Sequence, residues 1–156
     1  MGEPYTTGDL IRSLGIGRQR MQDWMERGYI KASIQQASGI GTKSLFSKWD
    51  VYCIELFRYL LKRGFPRKQV AFWLRALYSQ YSFNRQLEKF NYLAFIARRD
   101  GGKLVDTMTE GVPVIIGYRS MAEFHASFPQ RDLDDFADLL IINFKAVREE
   151  VDVALE

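Results

Sequence analysis

YTTGDLIRSLGIGRQRMQDWMERGYI, residues Tyr5 to Ile30, reads as two short helices joined by a tight glycine turn. Thr6, with Asp9 three residues on, is the Ser/Thr-x-x-Asp/Glu pattern of a capped helix start, in which each side chain satisfies a backbone N–H that the helix leaves free. Leu10, Ile11 and Leu14 follow at helical spacing and supply one apolar face. Gly15-Ile16-Gly17 then breaks the helix, because glycine enters the left-handed backbone region without a Cβ penalty. A second helix runs from Arg18 to about Arg27, with Met21, Trp24 and Met25 turned inward and Gly28 as its stop. Its other face carries Arg18, Gln19, Arg20 and Gln22. Arginine and glutamine bond guanine and adenine edges bidentately, so this face fits a DNA major groove. The competing reading of the same residues is an ordinary helical hairpin with a solvated polar face.

Working outward, Tyr29 to Ile34 alternates as a short strand, Gln35 to Lys43 is a polar tip, and Ser44-Leu45-Phe46 returns as a second strand. A β-hairpin directly behind a helix–turn–helix is a wing, and Thr42, Lys43 and Ser44 at its tip are small or cationic groups suited to phosphate oxygens. Ser47 caps a third helix with Asp50 in the capping-box position; Trp49, Cys53, Ile54, Phe57, Leu60 and Leu61 form its apolar side. Cys53, in that apolar register, reads as a small core residue. Lys62 and Arg63 complement the helix C-terminus, and Gly64 ends it. Pro66 is expected as the first residue of a fourth helix that continues through Val70, Trp73, Leu74 and Leu77. Arg67 and Lys68 at its start are placed to meet a second stretch of phosphate backbone.

Residues 5–74 resemble the winged-helix DNA-binding domain of the mercury-resistance-regulator (MerR) type. The shared pattern is Tyr5-Thr-x-Gly-Asp-Leu10, Gly15-Ile16, Trp24-x-Glu26-x-Gly28-Tyr-Ile30, Phe46-Ser47-x-x-Asp50-Val51, and Gly64-Phe65 ahead of Val70. The resemblance implies a homodimer on a pseudo-palindromic DNA site, with the second helix in the major groove and the wing and fourth helix on phosphates. It also implies a C-terminal region that senses a ligand or metal in many members. Two positions depart from the family pattern: Gln22-Asp23-Trp24 stands where the family has arginine followed by two aromatic residues, and Ser44-Leu45 stands where its wing often carries paired arginines.

Composition narrows the function classes. The 156 residues are 47 % hydrophobic, enough for a real core. No apolar run approaches 18 residues and no charged-then-apolar leader is present, so the expectation is a cytoplasmic, nucleoid-associated protein that does not enter a membrane. One cysteine and one histidine, His125, argue against a disulfide framework or a multi-cysteine metal site. Charge is divided unevenly. Residues 1–75 hold 13 Lys and Arg against 6 Asp and Glu, a net of +7, whereas residues 76–156 hold 9 against 13, a net of −4. A basic half joined to an acidic one points to polyanion contact confined to the first.

The rest of the chain is less regular. Residues 76–90 read as a linker or an extension of the fourth helix. Asn91 to Arg98 is a strand, Asp100-Gly-Gly102 a hairpin turn, Lys103 to Thr109 its partner, and Val112 to Tyr118 a third extended run. Ser120 to Ser127 makes a helical turn. Asp132 to Asp138 reads as an acidic helix opening, followed by a buried strand Leu139–Ile142 and a final helix capped by Asn143. A rival reading joins Leu133, Ala137, Leu140, Phe144, Val147, Val151 and Ala154 as a coiled-coil seam in one long helix. The aspartates lack the glycine and distal glutamate of a calcium loop, and His125 has no second soft ligand, so no metal or other cofactor is expected.

The sequence therefore predicts a mostly α winged helix–turn–helix DNA-binding domain over residues 1–75, then the segment 76–90, then a small α+β dimerisation or effector domain over 91–156. The expected function is sequence-specific transcription regulation on double-stranded DNA by a homodimer, with no catalytic residues. A small-molecule effector or a protein partner is a further candidate. Arg18, Gln19, Arg20 and Gln22 are assigned to base edges; Thr7, Thr42, Lys43, Ser44, Arg67 and Lys68 are assigned to phosphates. The alternatives are an excisionase-like architectural factor that bends DNA, and a protein-interaction module that has lost DNA.

Overall fold

Two capping boxes organise the N-terminal residues of the computed structural model, which describes residues 4–81, 86–100, 103–104, 114–127 and 136–156. Thr6 opens helix α1 (Thr7–Leu14): its hydroxyl accepts from the Asp9 N–H, and the Asp9 carboxylate accepts from the Thr6 N–H. Gly15 ends α1 with φ 65, the left-handed value that a side chain would disfavour. Helix α2 (Arg18–Glu26) follows after Ile16 and Gly17. Ser47 and Asp50 repeat the box at the start of α3 (Lys48–Lys62). Helix α4 spans Arg67–Tyr81, and Pro66 lies just before it, its carbonyl accepting the first helical bond from Val70 N at 3.0 Å. The helix thus starts one residue later than expected, and residues 76–81 extend it.

The chain divides into two compact units, residues 1–71 with 147–156, and residues 72–146. The sequence ended the first module at 75 and kept the terminal helix in the second. In the first unit, Leu10, Met21, Trp24, Phe46, Val51, Leu56, Phe57 and Leu60 are all buried, as is Cys53. Every residue from Asp50 to Phe57 is buried, so α3 is wrapped on all sides. Part of that wrapping is residues 147–155 of the last helix, α6 (Phe144–Leu155), which buries Val147 and Val151. From its exposed side Asp152 accepts hydrogen bonds from Tyr52 Oη at 2.7 Å and Lys48 Nζ at 2.9 Å.

The expected hairpin from Tyr29 to Phe46 takes a different form. Residues 29–34 are not a strand, and the loop closes through a single antiparallel bridge between Gln35 and Leu45. The strand β2 (Leu45–Phe46) pairs instead with β1 (Tyr5–Thr6), matching Tyr5 with Phe46 and Thr6 with Leu45. Side chains have taken the backbone groups that a ladder would use. Asp50 captures the Ser33 N–H at 2.9 Å and its hydroxyl at 2.6 Å, and Gln36 Nε2 donates to the Ala32 carbonyl at 3.0 Å. Burial of Ile30 and Ala32 gives the alternation read as a strand.

The second unit is built on β3 (Tyr92–Asp100). It pairs antiparallel with β4 (Lys103–Leu104) at its end, with β5 (Val114–Tyr118) along one edge, and with β6 (Phe136–Asn143) along the other. Ala94 and Ile96 pack with Tyr118 and with Phe124 of helix α5 (Met121–Ser127) on one face. Leu93, Phe95, Ile115 and Ile142 are buried on the other, where the Trp73 ring lies 5.4 Å from Phe95. A strand buried on both faces reads as a continuous apolar run, which is how Leu93-Ala-Phe-Ile96 appears. A short 3₁₀ turn, Gln86–Lys89, precedes this sheet.

Phe136 to Asp138 corrects the acidic helix opening: these residues begin β6, and the rival coiled-coil seam falls with it. Pairing of Ala97 with Asp138 and of Leu93 with Ile142 supplied a partner for the segment that no local signal specifies. Asn143 caps α6 as expected, its Oδ1 accepting from Ala146 N at 3.1 Å. The remainder of that acidic segment, the glycines of the expected turn at 101–102, and residues 105–113 lie outside the described residues. His125 is exposed, with its ring 5.5 Å from that of Phe124.

Candidate nucleic-acid interface

Helix α2 is held from behind so that its front stays clear. Met21 and Trp24 are buried, and the Trp24 ring meets Phe57 of α3 edge-on at 5.0 Å and 78°. The end of α1 is fixed by Arg58, whose Nη1 donates to the Leu14 carbonyl at 2.8 Å and to Glu55 Oε2 at 2.9 Å. That bond takes up a carbonyl that the end of a helix leaves unpaired. Opposite, Arg18, Gln19, Arg20 and Gln22 are all exposed, as the helical spacing required.

Within that face the side chains are partly ordered. Arg20 lies over the Trp24 ring, its guanidinium carbon 6.0 Å from the centroid, at the outer limit of a cation–π contact. Gln22 Nε2 donates to Glu26 Oε1 at 2.9 Å. Asp23, the negative charge in the middle of α2, is paired with Arg27 at 2.7 Å, and this hydrogen bond raises the arginine's pKa above its ordinary value. The pair sets a positive charge against the negative one on this part of α2.

Arg20 and Arg67 are brought together in the lining of one groove of about 480 Å³, which they share with Arg58, Lys62, Trp24 and Phe65. Lys62, whose charge complements the α3 C-terminus, also lines this groove, a place its sequence position alone does not announce. The available signal is the spacing: Arg58, Leu61 and Lys62 stand at i, i+3 and i+4 on one helical face. Arg67 and Lys68 are exposed in the first turn of α4.

The loop residues sit apart from this groove in the chain. Thr42 is exposed, and its Oγ1 accepts from Ser38 N at 2.8 Å and donates to the Gly39 carbonyl at 2.8 Å. Lys43 is exposed. Ser44 is buried, and its Oγ accepts from Ala37 N at 3.2 Å, so its hydroxyl closes the loop from within. Thr7, the first residue of α1, is half-buried. Backbone and hydroxyl hydrogen bonds from Thr6 hold the neighbouring Asp9 carboxyl below its ordinary pKa, keeping it charged at the start of the helix.

Among the described residues no helix is long and apolar enough to cross a membrane. No curated protein matches the sequence. Residues 5–77 match the family model described as MerR HTH family regulatory protein, a family of DNA-binding transcription regulators, and the match covers α1, α2, α3 and most of α4. The N-terminal region of this chain is a MerR-type helix–turn–helix domain, followed by a small sheet-containing region.

Proposed function

We propose that the protein is a sequence-specific transcriptional regulator that binds double-stranded DNA as a homodimer on an inverted repeat, in the cytoplasm and without catalysis. The observation that supports this best is the division of α2 between two duties. Met21 and Trp24 anchor it, while Arg18, Gln19, Arg20 and Gln22 project from its exposed face. In this reading α2 enters the major groove with those four side chains at base edges. Lys43, Arg67, Lys68 and Lys62 neutralise phosphates, and the loop from Gln35 to Leu45 takes the place of the wing. Ser44 holds that loop, and Thr42 contributes its backbone and methyl side. The region around β3 serves dimerisation or responds to an effector.

Selection from a randomised duplex pool at physiological salt tests the proposal directly. An enriched inverted repeat supports a dimeric regulator. Enriched direct repeats overturn the dimer reading in favour of an architectural, excisionase-like factor. Binding without enrichment that disappears as salt rises overturns sequence specificity, since non-specific binding is almost wholly counterion release.

A further inference from the structure

The loop between Ala32 and Ser44 ends in an isoleucine that touches nothing. Ile40 is fully exposed, well beyond the other large apolar residues at the surface. A single exposed isoleucine is ordinary on an arbitrary surface; the setting of this one is not arbitrary. It occupies the second position of a turn, Gly39 to Thr42, closed by Thr42 N donating to the Gly39 carbonyl at 3.3 Å. The third position, Gly41, has φ 84, the value that selects glycine there in a type II turn. Gly39 and Gly41 flank the isoleucine with no side chains, and the space where their β-carbons would lie is open. The tip is therefore one β-branched side chain wide.

It is also held in shape. Thr42 Oγ1 bridges Ser38 N and the Gly39 carbonyl, and Gln35 Nε2 donates to the Lys43 carbonyl at 3.1 Å. Leu45 N donates to the Gln35 carbonyl at 2.8 Å below them. Between Glu26 and Asp50 there is no acidic residue; Arg27 is paired with Asp23 and Lys48 with Asp152, while Lys31 and Lys43 are exposed and basic. The surroundings of the tip suit a polyanion. A stiff apolar point on a narrow, cationic, preorganised loop has the dimensions and chemistry of a minor-groove wedge. Such side chains press between base steps in a groove about 6 Å wide and kink the duplex towards the major groove.

We propose that Ile40 is such a wedge: it enters the minor groove beside the segment read by α2, partly unstacks a base step, and bends the DNA while Lys43 meets the adjacent phosphate. The inference rests on the DNA-binding reading of residues 5–77 and adds to it a second, apolar contact. Shape and deformability of that step then contribute to site choice without any hydrogen bond to a base.

The test uses the full chain and a duplex from the enriched pool, with fluorophores at its ends to report bending and 2-aminopurine along the flanking steps to report unstacking. The native protein is expected to bring the ends closer and raise 2-aminopurine emission at one step. Ile40→Ala should abolish both signals and weaken binding roughly tenfold, the scale of losing the partly buried carbons that isoleucine carries beyond its β-carbon. The slope of log affinity against log salt should stay unchanged, because no phosphate contact is lost. Ile34→Ala, at the half-exposed base of the loop, should leave every readout as in the native protein. Native-like affinity and bending in Ile40→Ala would overturn the wedge and leave DNA binding standing. A native protein that binds no duplex would overturn the DNA reading itself, before any variant is compared.

Discussion

The chain opens α1 and α3 with the same four-residue device and obtains different things from each. At both starts the hydroxyl accepts from the N–H three residues on, at 3.2 Å for Thr6 and 3.1 Å for Ser47. At both, the aspartate accepts in return from the capping N–H, at 2.8 Å. Asp9 leaves a third of its side chain exposed, and its other ion partner is the surface residue Arg12. Asp50 is completely buried and also gathers the N–H and hydroxyl of Ser33, 17 residues away. The first box starts a helix. The second starts a helix and fixes the path by which the chain leaves α2. The sequence motif specifies where a helix begins, and burial decides what its loss costs.

Asp50→Ala is the strongest attempt to break that contrast. It removes a fully buried carboxylate that accepts from the N–H groups of Ser33 and Ser47, and each bond to such a charged acceptor is worth about 1.5–3 kcal/mol. Together with the lost cap, roughly 3–5 kcal/mol of folding stability should disappear, visible as a drop of about 10 °C or more in melting temperature. A loss no greater than that of Asp9→Ala would mean that burial does not separate the two boxes.

The contrast extends to α2, whose exposed face carries no folding duty. Arg20→Ala should cost about 1–3 kcal/mol on the selected site and little on random DNA, with the melting temperature unchanged apart from the small Trp24 contact. An equal loss on both duplexes would move Arg20 from base edges to phosphate. A large fall in melting temperature would show that the exposed face is structural after all.

These two regions were also unequally legible. Both capping boxes, the Gly15 turn and the inward placement of Met21 and Trp24 could be read from the residues, because each is set by contacts within a few positions. The strand expected over Tyr29–Ile34 failed for the opposite reason: Asp50 and Gln36 claim its polar groups, and nothing near Ser33 in the sequence announces a carboxylate 17 residues on. Phe136–Asp138 failed likewise, since an aspartate-rich start favours a helix until β3 supplies an edge to pair with. The return of α6 to Tyr52 spans 100 residues and has no local signature at all. Within the candidate interface the exposed face of α2 was legible, whereas the groove joining Arg20 to Lys62 and Arg67 required the packing of α2 against α3.

Asp152 tests the middle of the scale, since its side chain is less than half exposed. Burial pushes its pKa up, and the hydrogen bonds from Lys48 and Tyr52 outweigh that and hold it below its ordinary value. The same burial and the Asp152 bond push the Tyr52 hydroxyl up to about 12, so it stays protonated and donating at any ordinary pH. Tyr52→Phe removes one bond to a carboxylate that keeps its lysine, and about 1 kcal/mol should be lost in urea unfolding. A loss matching that of Asp50→Ala would place α6 among the parts on which the first unit depends most.

The smallest effect expected is the charge on Asp9, and pH isolates it. Its pKa falls below the model-peptide value of 3.8 on folding, chiefly through the Thr6 bonds. The unfolded chain therefore binds the proton more tightly, so stability from this group is complete above pH about 4 and is lost as pH falls through the lower, folded value. Asp9→Asn keeps an oxygen that can accept from the Thr6 N–H but carries no charge. At pH 7 it should be less stable than the native protein by about 0.5 kcal/mol, the usual worth of an acidic residue in the first turn of a helix. As pH falls below 3.8 and on through the lower, folded value, the native carboxyl takes up its proton, so the two unfolding curves should converge. Curves that keep their separation in acid would show that the capping geometry of Asp9, and not its charge, carries its contribution, and would bring the two boxes closer in kind.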